Sequence, residues 1–142
     1  MGRLTYVTTM FQRAEHALKL NGLAPARSFF ESCLAGADPL KESLWVAHVD
    51  DEARCIHVSR HDGDESGAHF PIQVILTDAL HHRSSGLVIA HNHPSGDATP
   101  SDSDCKVTRR LAAAAEAIDC TLLDHLVLAD GECTSFRRMG LL

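Results

Sequence analysis

Two imidazoles, a hydroxyl and a carboxylate fall in one short run, His91-Asn92-His93-Pro94-Ser95-Gly96-Asp97-Ala98-Thr99-Pro100-Ser101-Asp102-Ser103-Asp104. Side chains at i and i+2 of a strand point to one face, so His91 and His93 can offer two ring nitrogens to one ion. The preceding Leu87-Val88-Ile89-Ala90 is a continuous apolar run bounded by turn residues, the pattern of a buried central strand. Pro94 cannot continue such a strand and leaves the pair at its rim. Carboxyl ends of buried strands are where α/β folds place ligands. Asp104, in the first turn of the next helix, would complete the set. Two histidines and one carboxylate leave a fourth tetrahedral position for water, as in a catalytic rather than a structural zinc site. Zinc in such a site lowers the pKa of water from about 15.7 to about 7 and polarises a carbonyl oxygen.

Blander readings attach to the same residues. A His-x-His pair alone is a weak signal. Ser101-x-x-Asp104 is also the start of a helix, with Ser101 as N-cap and Asp104 near the positive end of the dipole. Capping by Ser101 and ligation by Asp104 are compatible roles. The metal reading rests on coincidence: strand end, paired histidines, loop, capped helix and carboxylate arrive together.

The elements that must position these groups follow from periodicity. Residues 5–20 read as a helix on the spacing of Phe11, Ala14, Leu18 and Leu20, stopped by Asn21-Gly22. A second helix is expected over 25–35. Leu44 to Val49 reads as a strand with Arg54 to Ser59 as its hairpin partner, and 60–68 as a polar loop. Pro71 suits the first turn of a helix running to about His82. Ser101 opens a helix on which Val107, Leu111, Ala114 and Ile118 recur. Thr121-Leu122-Leu123 and Leu126-Val127-Leu128 are strand material, and a turn at Asp130-Gly131 leads to a last strand near Cys133 to Phe136. This order predicts an α/β/α sandwich around one mixed sheet.

Composition bounds the function. A chain of 142 residues, 44% hydrophobic and 23% charged, fits one globular domain. No segment approaches the roughly 18 consecutive apolar residues of a membrane span. Met1 to Met10 lacks a signal-peptide pattern, so a cytoplasmic location is expected. Five cysteines without a CxxC pair argue against a disulfide framework and a cysteine zinc knuckle, and most read as small buried apolar residues. A net charge of −6 weakens any case for nucleic-acid binding. Lys106, Arg109 and Arg110, like Arg137 and Arg138, read as solvated faces. Ten histidines are the anomaly.

The motif resembles the RadC-like branch of the JAB/MPN (JAMM) metallohydrolase family. That family's H-x-H, seven residues, Ser, two residues, Asp falls on His91, His93, Ser101 and Asp104 without a gap. Asn92, Pro94-Ser95-Gly96-Asp97, Pro100, Thr108-Arg109-Arg110-Leu111, Leu123-Asp124-His125 and Gly140-Leu141-Leu142 are similar to the RadC version. The resemblance covers roughly residues 25–142, with 1–24 as a separate N-terminal helix. It implies a JAB/MPN-like, cytidine-deaminase-like α/β/α sandwich with Zn2+ on His91, His93 and Asp104. It also implies a glutamate just ahead of the first core strand that acts as general base toward the zinc-bound water. Glu42 fits that place, with Glu52 and Glu65 as rivals. Ser101 would donate to the oxyanion.

The implied activity is hydrolysis of amide bonds in a protein or peptide substrate, by a peptidase or isopeptidase. The alternative is a non-catalytic or DNA-repair-associated accessory protein of the same fold. Longer members carry an N-terminal helical region suggestive of DNA contact, and no counterpart of it is expected in these 142 residues; with the −6 charge, no nucleic-acid or membrane partner is expected. Ile72-Gln73 replaces an Arg-Glu pair usual in the family, which bears on substrate preference. His125 is read chiefly as a satisfied core or edge residue, with support of the metal as a second role. His48 and His57 read as strand residues, and His81-His82 as a helix end where positive charge suits the dipole.

Overall fold

A computed structural model describes residues 4–6, 18–63 and 70–142. Its elements are β1 (Leu4–Tyr6), α1 (Leu23–Ala35), β2 (Ser43–Val49), β3 (Cys55–Asp62), α2 (Ile72–His81), β4 (Gly86–Asn92), α3 (Asp102–Ala117), β5 (Thr121–Ala129) and β6 (Glu132–Ser135). The strands form one six-stranded sheet in the order β1-β3-β2-β4-β5-β6. β4 and β5 are parallel and joined through α3, whereas the other neighbouring pairs are antiparallel. The sheet is therefore mixed.

Strict alternation along β2 and β4 gives the sheet two apolar faces. Trp45, Ala47, Val49, Val88 and Ala90 meet Ala26, Phe29 and Phe30 of α1. On the other face Leu44, Val46, Leu87 and Ile89 meet Ile75 and Ala79 of α2 and Leu111 and Ala115 of α3. Covering both faces of a central sheet with helices produces the expected α/β/α sandwich. Within β2 and β4 the second face has two interruptions: His48 continues the Leu44-Val46 row, and His91 continues the Leu87-Ile89 row. Both imidazoles are 0% exposed. Apolar packing alone would not select them.

Several boundaries differ from the sequence reading. Leu4–Tyr6 is a strand paired with β3, where a helix from residue 5 is expected. Lys19 makes an isolated bridge to Arg54, and Leu20 is buried beside α1. Residues 7–17, which carry Phe11 and Ala14 of that expected helix, lie outside the described residues. β3 runs on through Asp62 into the expected loop, because Arg60 and His61 pair with both β1 and β2, and Asp62 pairs with Ser43 of β2. Backbone pairing across a sheet overrides a polar composition. The two expected strand pieces around Asp124 and His125 join into β5, which takes a register irregularity beside Leu87/Val88.

None of the five cysteines is disulfide-bonded; Cys55 and Cys120 are buried, and burial pushes the Cys55 thiol up to about 12. No described helix is long and apolar enough to cross a membrane.

Candidate metal centre

Each expected ligand is positioned by a different local device. His91 lies within β4, while His93 follows its last residue and keeps sheet pairing through its amide, which donates to the Leu128 carbonyl at 2.9 Å. Gly96, at φ +87°, turns the chain back in a conformation that favours glycine. The Asp97 carbonyl thereby reaches His93 Nδ1 at 2.8 Å. Asp104 is the third residue of α3. Its amide donates to Ser101 Oγ at 3.0 Å, and its Oδ2 accepts from the Ser101 amide at 2.9 Å. This reciprocal capping box holds the carboxylate at the helix mouth.

The donor atoms converge. His91 Nε2 and His93 Nε2 are 2.8 Å apart, and Asp104 Oδ2 lies 3.4 Å and 3.2 Å from them. Donors about 2.0–2.1 Å from a tetrahedral ion lie about 3.3 Å from one another, so this triangle has the right size for one. The chain thus brings together a group able to hold a metal ion at His91, His93 and Asp104.

Protons on the far ring nitrogens decide whether the near ones are free. His93 Nδ1–H donates to the Asp97 carbonyl, which leaves its Nε2 lone pair facing the centre. His91 Nδ1 lies 2.7 Å from His125 Nε2, and His125 Nδ1 lies 2.7 Å from Thr108 Oγ1. With Thr108 accepting from His125 and His125 accepting from His91, the His91 Nε2 lone pair also faces the centre. The reversed relay would put a proton there, so the first assignment is the one that holds an ion. Two lone pairs and a carboxylate oxygen at these distances could hold a shared cation.

His125 is a core residue, stacked on Phe136 at 4.4 Å and 0% exposed, and its Nε2 lies against His91 Nδ1. Asp124 fixes the backbone around it, accepting from the His125 amide at 2.7 Å and the Arg137 amide at 3.0 Å. Burial, then the charge on His91, hold the His125 pKa well below the usual histidine value, so it stays neutral and can accept. Sequence reading missed Thr108, although its place one helical turn after Asp104 points it to the same side. Thr108→Val should weaken metal affinity about 10–100-fold, read by competition with a chromophoric chelator.

In the metal-free chain, ring N–H groups facing Asp104 take the place of an ion: burial alone would raise the Asp104 carboxyl, but hydrogen bonds from His91 and His93 and the Ser101 amide hold it well below the usual carboxylate range. The Asp104 hydrogen bond raises His93, with burial opposing it and the Asp97 carbonyl and the charges on Asp104 and Glu42 assisting.

Glu42 precedes β2. The β2–β4 register pairs Leu44 with His91, and its continuation sets Glu42 opposite His93. Alternation puts residues 42, 44 and 46 on the face that carries His91. Asn92 grips the backbone on either side: its Nδ2 donates to the Lys41 carbonyl at 2.8 Å, and its Oδ1 accepts from the Ser43 amide at 2.8 Å. The middle residue of the H-x-H motif thus anchors the glutamate segment from the opposite face of β4. Asn92→Ala should cost about 1–3 kcal/mol by stranding those groups, read as a lower urea midpoint with unchanged m. Glu52, by contrast, is exposed in the turn after β2, 3.6 Å from Arg54 and at the wrong end of the strand. Glu65 lies outside the described residues. A cleft of about 360 Å³ lined by Leu20, Leu23, Val88 and Leu123 opens on the other face of the sheet and contains none of these groups.

Comparison with known proteins agrees with this arrangement. A family model described as a RadC-like JAB domain matches residues 21–141. A UPF0758 protein of Vibrio atlanticus is 38% identical over 105 residues, 72% of this chain and 46% of that protein. One from Vibrio cholerae is 35% identical over 104 residues, with the same coverage of 72% and 46%. The chain spans about half the length of the curated relatives it matches. By fold, ligand geometry and family match, this chain belongs to the RadC-like JAB domain family.

Proposed function

We propose that this chain is a zinc-dependent hydrolase of amide bonds, a peptidase or isopeptidase acting on a protein or peptide. The observation that carries the reading is the convergence of His91 Nε2, His93 Nε2 and Asp104 Oδ2, with the far ring nitrogens engaged elsewhere. Zinc held there would supply a Lewis acid that polarises a carbonyl and brings the pKa of water near 7.

The protein's own groups do the rest. Glu42 accepts a proton from the attacking water and passes it to the leaving amine. Ser101 is exposed at the rim, and accepting from the Asp104 amide uses only a lone pair of its hydroxyl. Its O–H therefore remains able to donate to the developing oxyanion. His125 and Thr108 keep His91 in the ligating tautomer. Half-buried His93 and exposed Ser101 leave the centre open on one side, where an extended chain can approach.

The test joins metal analysis of purified protein to cleavage of peptide and ubiquitin-like conjugate libraries. Stoichiometric zinc, and activity lost in both His91→Ala and Asp104→Ala, is the expected result. Absent zinc, or cleavage untouched by either substitution, ends the reading.

A further inference from the structure

The far end of the same sheet face carries a second group of two histidines and a carboxylate. His48 of β2 and His57 of β3 are direct antiparallel neighbours, and Asp78 of α2 lies over them. One donor atom from each lies within 4.8 Å of the other two. The β2–β4 register pairs Leu44 with His91 but His48 with Leu87, so His48 stands four residues, about 13 Å, further along the strand. It belongs to a different centre.

His48 is the telling residue. It continues the row of Leu44 and Val46 at 0% exposure, where an aliphatic side chain would pack without desolvating anything. Its Nδ1 lies 2.7 Å from Ser84 Oγ. Its Nε2 is buried without a hydrogen-bond partner among the described residues. Native interiors rarely keep such an atom unless something binds it. The His57 ring is centred 5.2 Å from that of His48, and His82, capping the end of α2, stacks on His57 at 3.9 Å.

Burial, then the charges of His57 and His82, push His48 down to about 3. Burial also lowers His57 and His82. The positive charge expected at this helix end is therefore disfavoured on His82. Neutral imidazole is the form that binds metal.

We propose that His48, His57 and Asp78 form a second metal site, for a divalent transition ion, that ties the β2–β3 hairpin to α2. Two imidazoles with one carboxylate suit zinc, cobalt or nickel rather than magnesium or calcium. His82 lies over the site as a cover. Ser84 Oγ, accepting from His48 Nδ1–H, sets the tautomer in which Nε2 is the donor, as Asp97 does for His93. This site is independent of the proposed hydrolysis.

The experiment uses the full chain, stripped by chelator and titrated with Co(II) and then Zn(II). The unaltered protein should bind two ions per chain. A His91→Ala/Asp104→Ala variant should retain one, with visible Co(II) bands of its own and a Tm that rises when the metal is added. Asp78→Asn, a near-isosteric change at a half-buried position, should reduce the unaltered chain from two ions to one and abolish the remaining one in the double variant. Asp78→Asn without effect on stoichiometry, whether the unaltered chain binds two ions or one, overturns the proposal. If far-UV circular dichroism shows the double variant unfolded, Asp78→Asn in the otherwise unaltered chain decides alone. Loss of the first centre's ion, or of activity, has no bearing on this count.

Discussion

Glu42→Gln should lower the rate of amide hydrolysis about 10²–10⁴-fold while leaving the bound zinc in place. The substitution keeps the size and shape of the side chain but removes its ability to accept a proton. Nothing in the ligand triangle is altered, since His91, His93 and Asp104 supply the converging donor atoms. The segment should hold its place too, because Asn92 grips it through the backbone of Lys41 and Ser43. The loss should therefore fall on kcat and not on KM, the signature of a group that acts in the transition state.

A second readout is available without substrate. The charge of Glu42 helps to raise His93, so the variant should show a lower His93 pKa in the metal-free protein by NMR titration. Glu52→Gln, at the remote turn, is the control and should change neither quantity. Full activity in Glu42→Gln would remove it as the base.

The metal-free protein should lose stability steeply as pH falls from about 6.5 toward 4. His48 has a folded pKa of about 3 against 6.5 in the free side chain. Between those values the unfolded chain binds a proton that the folded chain refuses, so acid pulls the equilibrium toward unfolding. Each such histidine contributes a slope of about 1.4 kcal/mol per pH unit. His125, His57 and His82 are shifted in the same direction by burial and steepen the slope. The His48 share alone takes about 1.4 kcal/mol per unit from a total of order 5–15 kcal/mol.

The site's other groups do not cancel this slope. Asp104 has a depressed folded pKa, so its stabilisation persists above the ordinary carboxylate range and is lost only in stronger acid. His93 has a raised folded pKa; its contribution is complete below about 6.5 and is lost as pH rises through the folded value. Urea unfolding at pH 7, 6 and 5 in chelator measures the slope, and His48→Leu should lower it by about 1.4 kcal/mol per pH unit. A flat profile over that window would show that these imidazoles protonate without unfolding the chain.

Local spacing carried much of the site. His91 and His93 share a face because strands alternate, and Asp104 follows at the first turn of a helix whose cap is written in Ser101-x-x-Asp104. Such relations span a few residues and follow from strand and helix geometry, so they are legible before any fold is known. The same holds for α1, α3 and the central strand of Leu87 to Ala90, whose apolar periods are strong.

What only the tertiary structure decided depends on which strands become neighbours. His125 reaches His91 because β5 lies parallel to β4, and Thr108 reaches His125 because α3 crosses between them. Asn92 meets Lys41 and Ser43 across 51 and 49 residues of chain. β3 outruns its polar sequence because two neighbouring strands pair with it. His48 and His57 each read as unremarkable strand residues, and a hairpin register with a covering helix sets them beside Asp78. Periodicity along the chain says which face a side chain takes. It cannot say what stands opposite, because that is set by pairing between distant segments.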